Sequence, residues 1–258
     1  QWPTIGKELS HIEKASLKNV REFHEKHYAP NNAVLTISGN IDPTNAYELA
    51  KKWFGNIPAN QNGHDQITSE PRQTSSRFLE IDANVPLNSI YKVYHMPGRI
   101  NKKYVTADLL SDLLGRGKSS RLYQSLVKDK KVFNDINSYI TGSADPGLLI
   151  ISGKVNPDID IVDAEKRIVD EIDLLKNNLK ETEVEKVINQ AVSSTYFSET
   201  ELLNRSINLS VANSLGNTNL VNEEIELVGK VKKTDILNMA NEILVTSNCS
   251  TLHYKSKK

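Results

Sequence analysis

The chain has 258 residues, 38% of them hydrophobic and 25% charged, with 32 basic residues against 32 acidic ones. This length admits one large domain or one and a half, and the apolar content supports a buried core, which excludes a disordered chain. Zero formal net charge gives no global pull toward nucleic acid or anionic lipid, the single Cys249 excludes an internal disulfide framework, and no run of about 20 apolar residues is present to span a membrane.

Gln1-Trp2-Pro3 carries no Met, basic region or apolar signal core, so the chain is expected to begin inside a longer protein. Leu17, Val20, Phe23 and His27 recur at helical spacing up to Tyr28, where Pro30-Asn31-Asn32 breaks the pattern. Ala33-Val34-Leu35-Thr36-Ile37 reads as a strand ending at Gly39. Asp42-Pro43 opens a second helix, with Ala46, Leu49, Ala50 and Trp53 on its inner face. The polar stretch that follows is read as a linker over 63–75.

Beyond the linker, 78–81 and 89–94 read as strands, the second alternating in polarity. Residues 103–114 and 121–128 read as helices. Two more strands, 135–141 and 148–154, join through Asp145-Pro146-Gly147. Helices then dominate: 161–176, and a segment opened by Thr182-Glu183-Val184-Glu185, read as a capping box in which Glu185 reaches back to Thr182. Strands grouped beside long helices without strict alternation indicate an α+β fold.

A weak internal repeat links the two ends. Ile12-Glu13-Lys14-Ala15, Val20, Phe23 and Asn32, followed by a strand, resemble Val228-Gly229-Lys230-Val231, Ile236, Met239 and Asn248, followed by Thr251-Leu252-His253-Tyr254. Lys14 matches Lys230 and Asn32 matches Asn248, both at a numbering offset of 216 (230 − 14 and 248 − 32). Each unit is therefore expected to be about 216 residues long, with about 150 residues of the first lying before Gln1.

Motifs for chemistry are weak. His24-Glu25-Lys26-His27 spaces two imidazoles for a metal but has no third ligand nearby, so His27 is expected to pack partly inward and His24 to be solvated. Gly115-Arg116-Gly117-Lys118-Ser119 is similar to the end of a phosphate-binding loop. It lacks the glycine five residues before Gly117, where Asp112 stands, and it follows a helix where a strand is needed. Gly115 is instead expected to stop one helix, and Ser119 or Ser120 to cap the next. No Gly-x-Ser-x-Gly elbow occurs, and Asp170 with Asp173, or Glu183 with Glu185, are expected on solvated helix faces.

Several of these segments together resemble one family. Trp2-Pro3-Thr4-Ile5-Gly6, the helix ending in Tyr28-Ala29-Pro30-Asn31-Asn32-Ala33, and Val34 to Ile41 resemble the closing part of the catalytic domain of pitrilysin/insulinase-type zinc metallopeptidases, the inverzincins. Leu113 to Val127, including Ser119-Ser120-Arg121-Leu122-Tyr123, and Asp145-Pro146-Gly147 resemble the second, non-catalytic domain of that family.

The resemblance implies tandem homologous two-layer domains, each a mainly antiparallel sheet covered by helices, with the first truncated. Residues 1–62 would be the tail of the peptidase domain, 63–75 the linker and 76–258 the non-catalytic second domain. Zinc would belong to the parent protein, held by an inverted His-x-x-Glu-His motif and a distal glutamate upstream of Trp2. No such motif occurs in this chain, so no catalytic, cofactor or metal residue is assigned to it, and the fragment alone is expected to be inactive.

Inactive partner domains of the family also carry an Arg and, seven residues later, a Tyr toward the substrate. Val127 and Asn134 stand at those places, which fits a second domain attached to a zinc-bearing half better than a dedicated inactive subunit. The expected partners are a peptide substrate of the complete protein and a second two-domain chain, identical or different, with no nucleic acid and no membrane span. The expected compartment is a bacterial periplasm or cytoplasm. The alternatives are a non-proteolytic assembly module of the same fold and an unrelated domain that binds peptides at a sheet edge.

Overall fold

The computed structural model describes residues 8–60, 68 and 70–257. The Trp2–Gly6 segment and residues 63–67 and 69 of the expected linker lie outside them. Cα packing divides the chain into two compact units: Gln1–Ile67 with Glu201–Thr218, and Thr68–Thr200 with Asn219–Lys258. The first unit thus draws on a stretch that lies within 76–258 in sequence.

In the first unit, Ser16 caps helix α2 (Leu17–His27) by accepting from the Asn19 N–H at 3.2 Å, after a short helix α1 (Leu9–Glu13). Asp42 caps α3 (Pro43–Phe54), accepting from the Asn45 N–H at 2.9 Å with Pro43 at the first helical position, as its sequence predicts. Asn60 closes the end of α2, donating to the carbonyls of Glu25 and Lys26 at 3.0 and 2.8 Å while bonding reciprocally with Asn31. Thr36 and Ser210 share a 2.7 Å hydrogen bond that ties the segment after the 3₁₀ turn to the unit's later helix, α7 (Leu202–Ser214).

Two expectations fail in this unit. Residues 33–38 carry no ladder, although Ala33 opens them in an extended conformation, because no strand among the described residues pairs with them, and a strand exists only through its partner. Leu49 and Trp53, expected on an inner face of α3, are exposed, Trp53 by 70%. Helical periodicity identifies an apolar stripe but supplies nothing to cover it.

The second unit is built on one five-stranded sheet: β1 (Arg77–Ala83), β2 (Ser89–Met96), β3 (Phe133–Ile140), β4 (Gly147–Val155) and β5 (Cys249–Ser256), in the order β1-β5-β2-β4-β3. Only β1 and β5 run parallel; the other pairings are antiparallel. The period-2 alternation expected for β2 holds, with Ile90, Lys92, Tyr94 and Met96 buried, and β4 contributes Leu149, Ile151 and Val155. Against this face lie α4 (Tyr104–Gly115), α5 (Ile161–Asn178) and α9 (Lys233–Ile243), with α6 (Glu181–Ser198) and α8 (Leu220–Gly229) beside α4.

Gly115 ends α4 as expected, for a packing reason the sequence does not display: a Cβ there would stand 2.0 Å from the Ser138 amide nitrogen of β3. Residues read as an ordinary helix over 121–128 include a π-helical turn, Tyr123–Asp129, in which the Lys130 N–H bonds the Ser125 carbonyl at 2.9 Å, five positions back. The capping box also moves. Helix α6 starts at Glu181, so Glu183, not Glu185, accepts from a backbone N–H, that of Lys180 at 3.1 Å.

The internal repeat is visible in the backbone. Adding 216 to Leu17–His27 gives Lys233–Ile243, the bounds of α9, and adding it to the 3₁₀ turn Pro30–Asn32 gives the 3₁₀ turn Thr246–Asn248. Asn32 donates to the His27 carbonyl at 2.8 Å, and Asn248 donates to the Ile243 carbonyl at 2.9 Å, the same bond in the second copy.

Candidate functional site

The segments singled out for chemistry have structural partners instead. In α2, the His24 ring stacks on Tyr28 at 5.0 Å and His27 leans on Phe23 at 4.5 Å, with His27 half-buried and His24 exposed. Among the described residues no group of three or more His, Cys, Asp or Glu side chains is placed to hold a metal ion, so they do not fit a zinc site.

In the loop after α4, Gly117 adopts a positive φ of 74° and its carbonyl accepts from the Ser120 hydroxyl at 2.7 Å. The Ser119 carbonyl accepts from Lys186 at 2.7 Å and the Lys118 carbonyl accepts from Gln124. A phosphate cradle presents amide donors; here the carbonyls do the binding, and the donors are side chains of the same unit.

Asp170, Asp173 and Glu185 are exposed, as read from the sequence. Glu183 is not solvated in that way. It takes Arg121 in a two-pronged pair at 2.6 and 2.8 Å, while the Arg121 guanidinium also donates to the Asn178 carbonyl at 2.7 Å. Burial alone would raise the Glu183 carboxyl, but the Arg121 and Lys180 hydrogen bonds outweigh it and lower its pKa. Val127 packs at the edge of the core and Asn134 is exposed on β3.

Three polar clusters that sequence spacing does not collect lie in the second unit. In the first, Lys92 of β2 donates to Glu165 of α5 at 2.6 Å and to Thr251 of β5 at 3.0 Å, and His253 of β5 meets the other Glu165 oxygen at 2.8 Å. Burial pushes the Glu165 carboxyl up, yet the Lys92 hydrogen bond and charge, joined by those of His253, bring it below its usual value. The strand alternation carries the signal for this cluster, since Lys92 falls between the inward Ile90 and Tyr94, and Thr251 and His253 share one face of their strand.

In the second cluster, buried Glu171 of α5 accepts from Ser125 and from Lys130 at 2.8 Å, which fastens the π-helical turn to α5. The third runs along α4. Asp108 is raised to about 6, first by burial and then by the charge of Asp112, against the opposing pull of Arg116, which itself pairs with Asp112 at 2.8 Å. None of the three joins a nucleophile to a base and a set of oxyanion donors, so their chemistry is charge pairing and anchoring.

Comparison with known proteins fits this picture. The family model for the peptidase M16 inactive domain matches residues 14–191. The zinc protease PqqE of Helicobacter pylori is 27% identical over 265 residues, covering 98% of this chain and 58% of that protein. A solved protease structure from Helicobacter pylori superposes with a TM-score of 0.89 at 23% identity, covering 97% of this chain and 61% of the other. The structure of a peptidase M16 inactive domain from Pseudomonas fluorescens gives 0.85 at 15% identity, covering 97% and 60%. The chain therefore spans under two thirds of the length of each of these three proteins.

Proposed function

Because the chain belongs to the peptidase M16 inactive-domain family, we propose that it is the C-terminal portion of a zinc-dependent endopeptidase and is itself non-catalytic. On this reading 76–258 is the non-catalytic domain, 1–62 the tail of the zinc-bearing peptidase domain and 63–75 the connection between them. The observation that carries it is the correspondence, at a numbering offset of 216, between α2 with its 3₁₀ turn and α9 with its 3₁₀ turn, down to the shared asparagine bond. Tandem homologous domains require such a correspondence.

Zinc and the water-activating glutamate would reside in residues outside this chain. The whole protein would hydrolyse peptides enclosed between two such chains, identical or different, in a bacterial periplasm or cytoplasm. Enclosure calls for a second chain because one pair of domains cannot surround a peptide.

Incubating the purified chain with zinc and an unstructured peptide tests the non-catalytic assignment. Intact peptide is the expected result, together with no zinc retained after dialysis. A zinc-dependent cleavage product that is lost with chelator would overturn it.

A further inference from the structure

His253 is 2% exposed, and its Nδ1 is the buried side-chain nitrogen or oxygen that lacks a hydrogen-bond partner among the described residues. Its other nitrogen, Nε2, is engaged at 2.8 Å with Glu165. Leaving a buried polar atom unpaired carries the full cost of removing it from water, so the geometry around Nδ1 matters. Glu80 of β1, the direct ladder partner of His253, holds a carboxylate oxygen 4.0 Å away, too far for a hydrogen bond and near enough for a small side-chain rotation to make one. Glu80 is half exposed, and the oxygen nearer Nδ1 is not the one that takes Lys255.

The surrounding charges alternate. Lys92 from β2 pairs with Glu165 from α5, and Lys255 on β5 itself pairs with Glu80 at 3.0 Å. Asp82 of β1 and Asp160 at the start of α5 add negative potential at Lys255. Phe78 of β1 closes the site with its ring edge-on to the imidazole at 4.9 Å. An imidazole set between two carboxylates, each already balanced by a lysine, can accept one proton from solvent and donate from both nitrogens.

We propose that protonated His253 is a latch on the edge strand β1, bridging Glu165 on α5 and Glu80 on β1 through its two ring N–H groups. In the neutral ring that keeps an N–H on Glu165, Nδ1 is a bare acceptor, and β1 keeps its ladder with β5 and the Lys255–Glu80 pair without the latch. The sign follows: the latch is closed on the acid side and opens as pH rises, because only the protonated ring has a second N–H to give. The strand it holds exposes Phe78 and Leu79, so opening loosens an apolar edge.

Hydrogen exchange of the β1 amides, corrected for intrinsic rates and measured against the amides of β4, tests this on the full chain at about pH 5 and about pH 8. Relative protection of β1 should be about threefold to fivefold greater at the lower pH, the size of one partly exposed charge pair. Both His253→Gln, which keeps a donor for Glu165 but cannot titrate, and Glu80→Gln should abolish that ratio. Long-range proton–nitrogen spectra of the ring should show both nitrogens protonated at the lower pH. A pH-independent ratio in the parent chain, as a bridging water would give, overturns the latch. So does a ratio that survives in Glu80→Gln, a change at a half-exposed side chain that should fold even if His253→Gln does not.

Discussion

Helices α2 and α9 are the same eleven-residue element met twice in the chain, each followed by the same 3₁₀ turn and the same asparagine bond, yet their surroundings are opposite. In α9 the stripe Ile236, Met239, Ala240 and Ile243 is buried, with α4 packed against the helix, and the following residues form β5 between β1 and β2. In α2 the counterparts of the first two, Val20 and Phe23, are exposed, and the residues after the turn form no ladder among the described residues. Helix, cap and turn are local products of the chain and form in both settings, whereas a buried stripe and a strand are products of neighbours.

The largest test of that contrast is a pair of truncations at matching positions. Ile236→Ala removes a side chain with no exposed surface and should cost about 2–5 kcal/mol in a denaturant titration. Val20→Ala at the counterpart should change stability by less than about 0.5 kcal/mol, as an exposed substitution does. Equal costs would mean that the first copy packs as the second does, and the contrast would be lost.

A smaller test concerns the shared asparagine. Asn248 is buried and donates to His95 of β2 as well as to Ile243, so Asn248→Ala strands two carbonyls and should cost about 1–3 kcal/mol. Asn32→Ala removes an exposed bond whose carbonyl can turn to water, so about 0.5 kcal/mol or less is expected from the same titration. A large loss at Asn32 would show that the bond itself, and not its burial, supports the motif.

What can be read from sequence divides along the same line. Periodicity and punctuation locate α2, the Asp42 cap of α3, the alternating β2 and the turn before β4, because each is written in residues a few positions apart. Residues 33–37 have the composition that a ladder would need, but composition cannot supply the ladder. Gly115 reads as a helix stop and is also the point where α4 meets the Ser138 backbone, a contact with a strand beyond the next helical segment that no local pattern announces. Glu183 reads as solvated because its partner Arg121 lies far away in sequence, on the other side of β3, β4 and α5. The Lys92–Glu165–His253 cluster is hidden for the same reason: three elements contribute one side chain each, and alternation alone hints that two of them point inward.

The smallest expected effect lies in α4, the helix against which α9 packs and for which α2 has no counterpart among the described residues. Half-buried Asp108 faces Asp112 and Glu224, and its carboxyl is raised from an ordinary 3.8 to about 6 by burial first and by those charges next. The folded chain therefore holds this proton more tightly than the unfolded chain does. As pH rises from 3.8 toward 6 the folded state alone must be made to release it, so stability falls across that window and the loss is complete above it. The full shift corresponds to about 3 kcal/mol, and the water still reaching this side chain reduces the expected penalty to about 1 kcal/mol. Asp108→Asn carries no proton to lose. Urea titrations should find it about 1 kcal/mol more stable than the parent chain at pH 7 and no more stable below pH 3.8. A gain of the same size at both pH values would assign the effect to packing instead of charge.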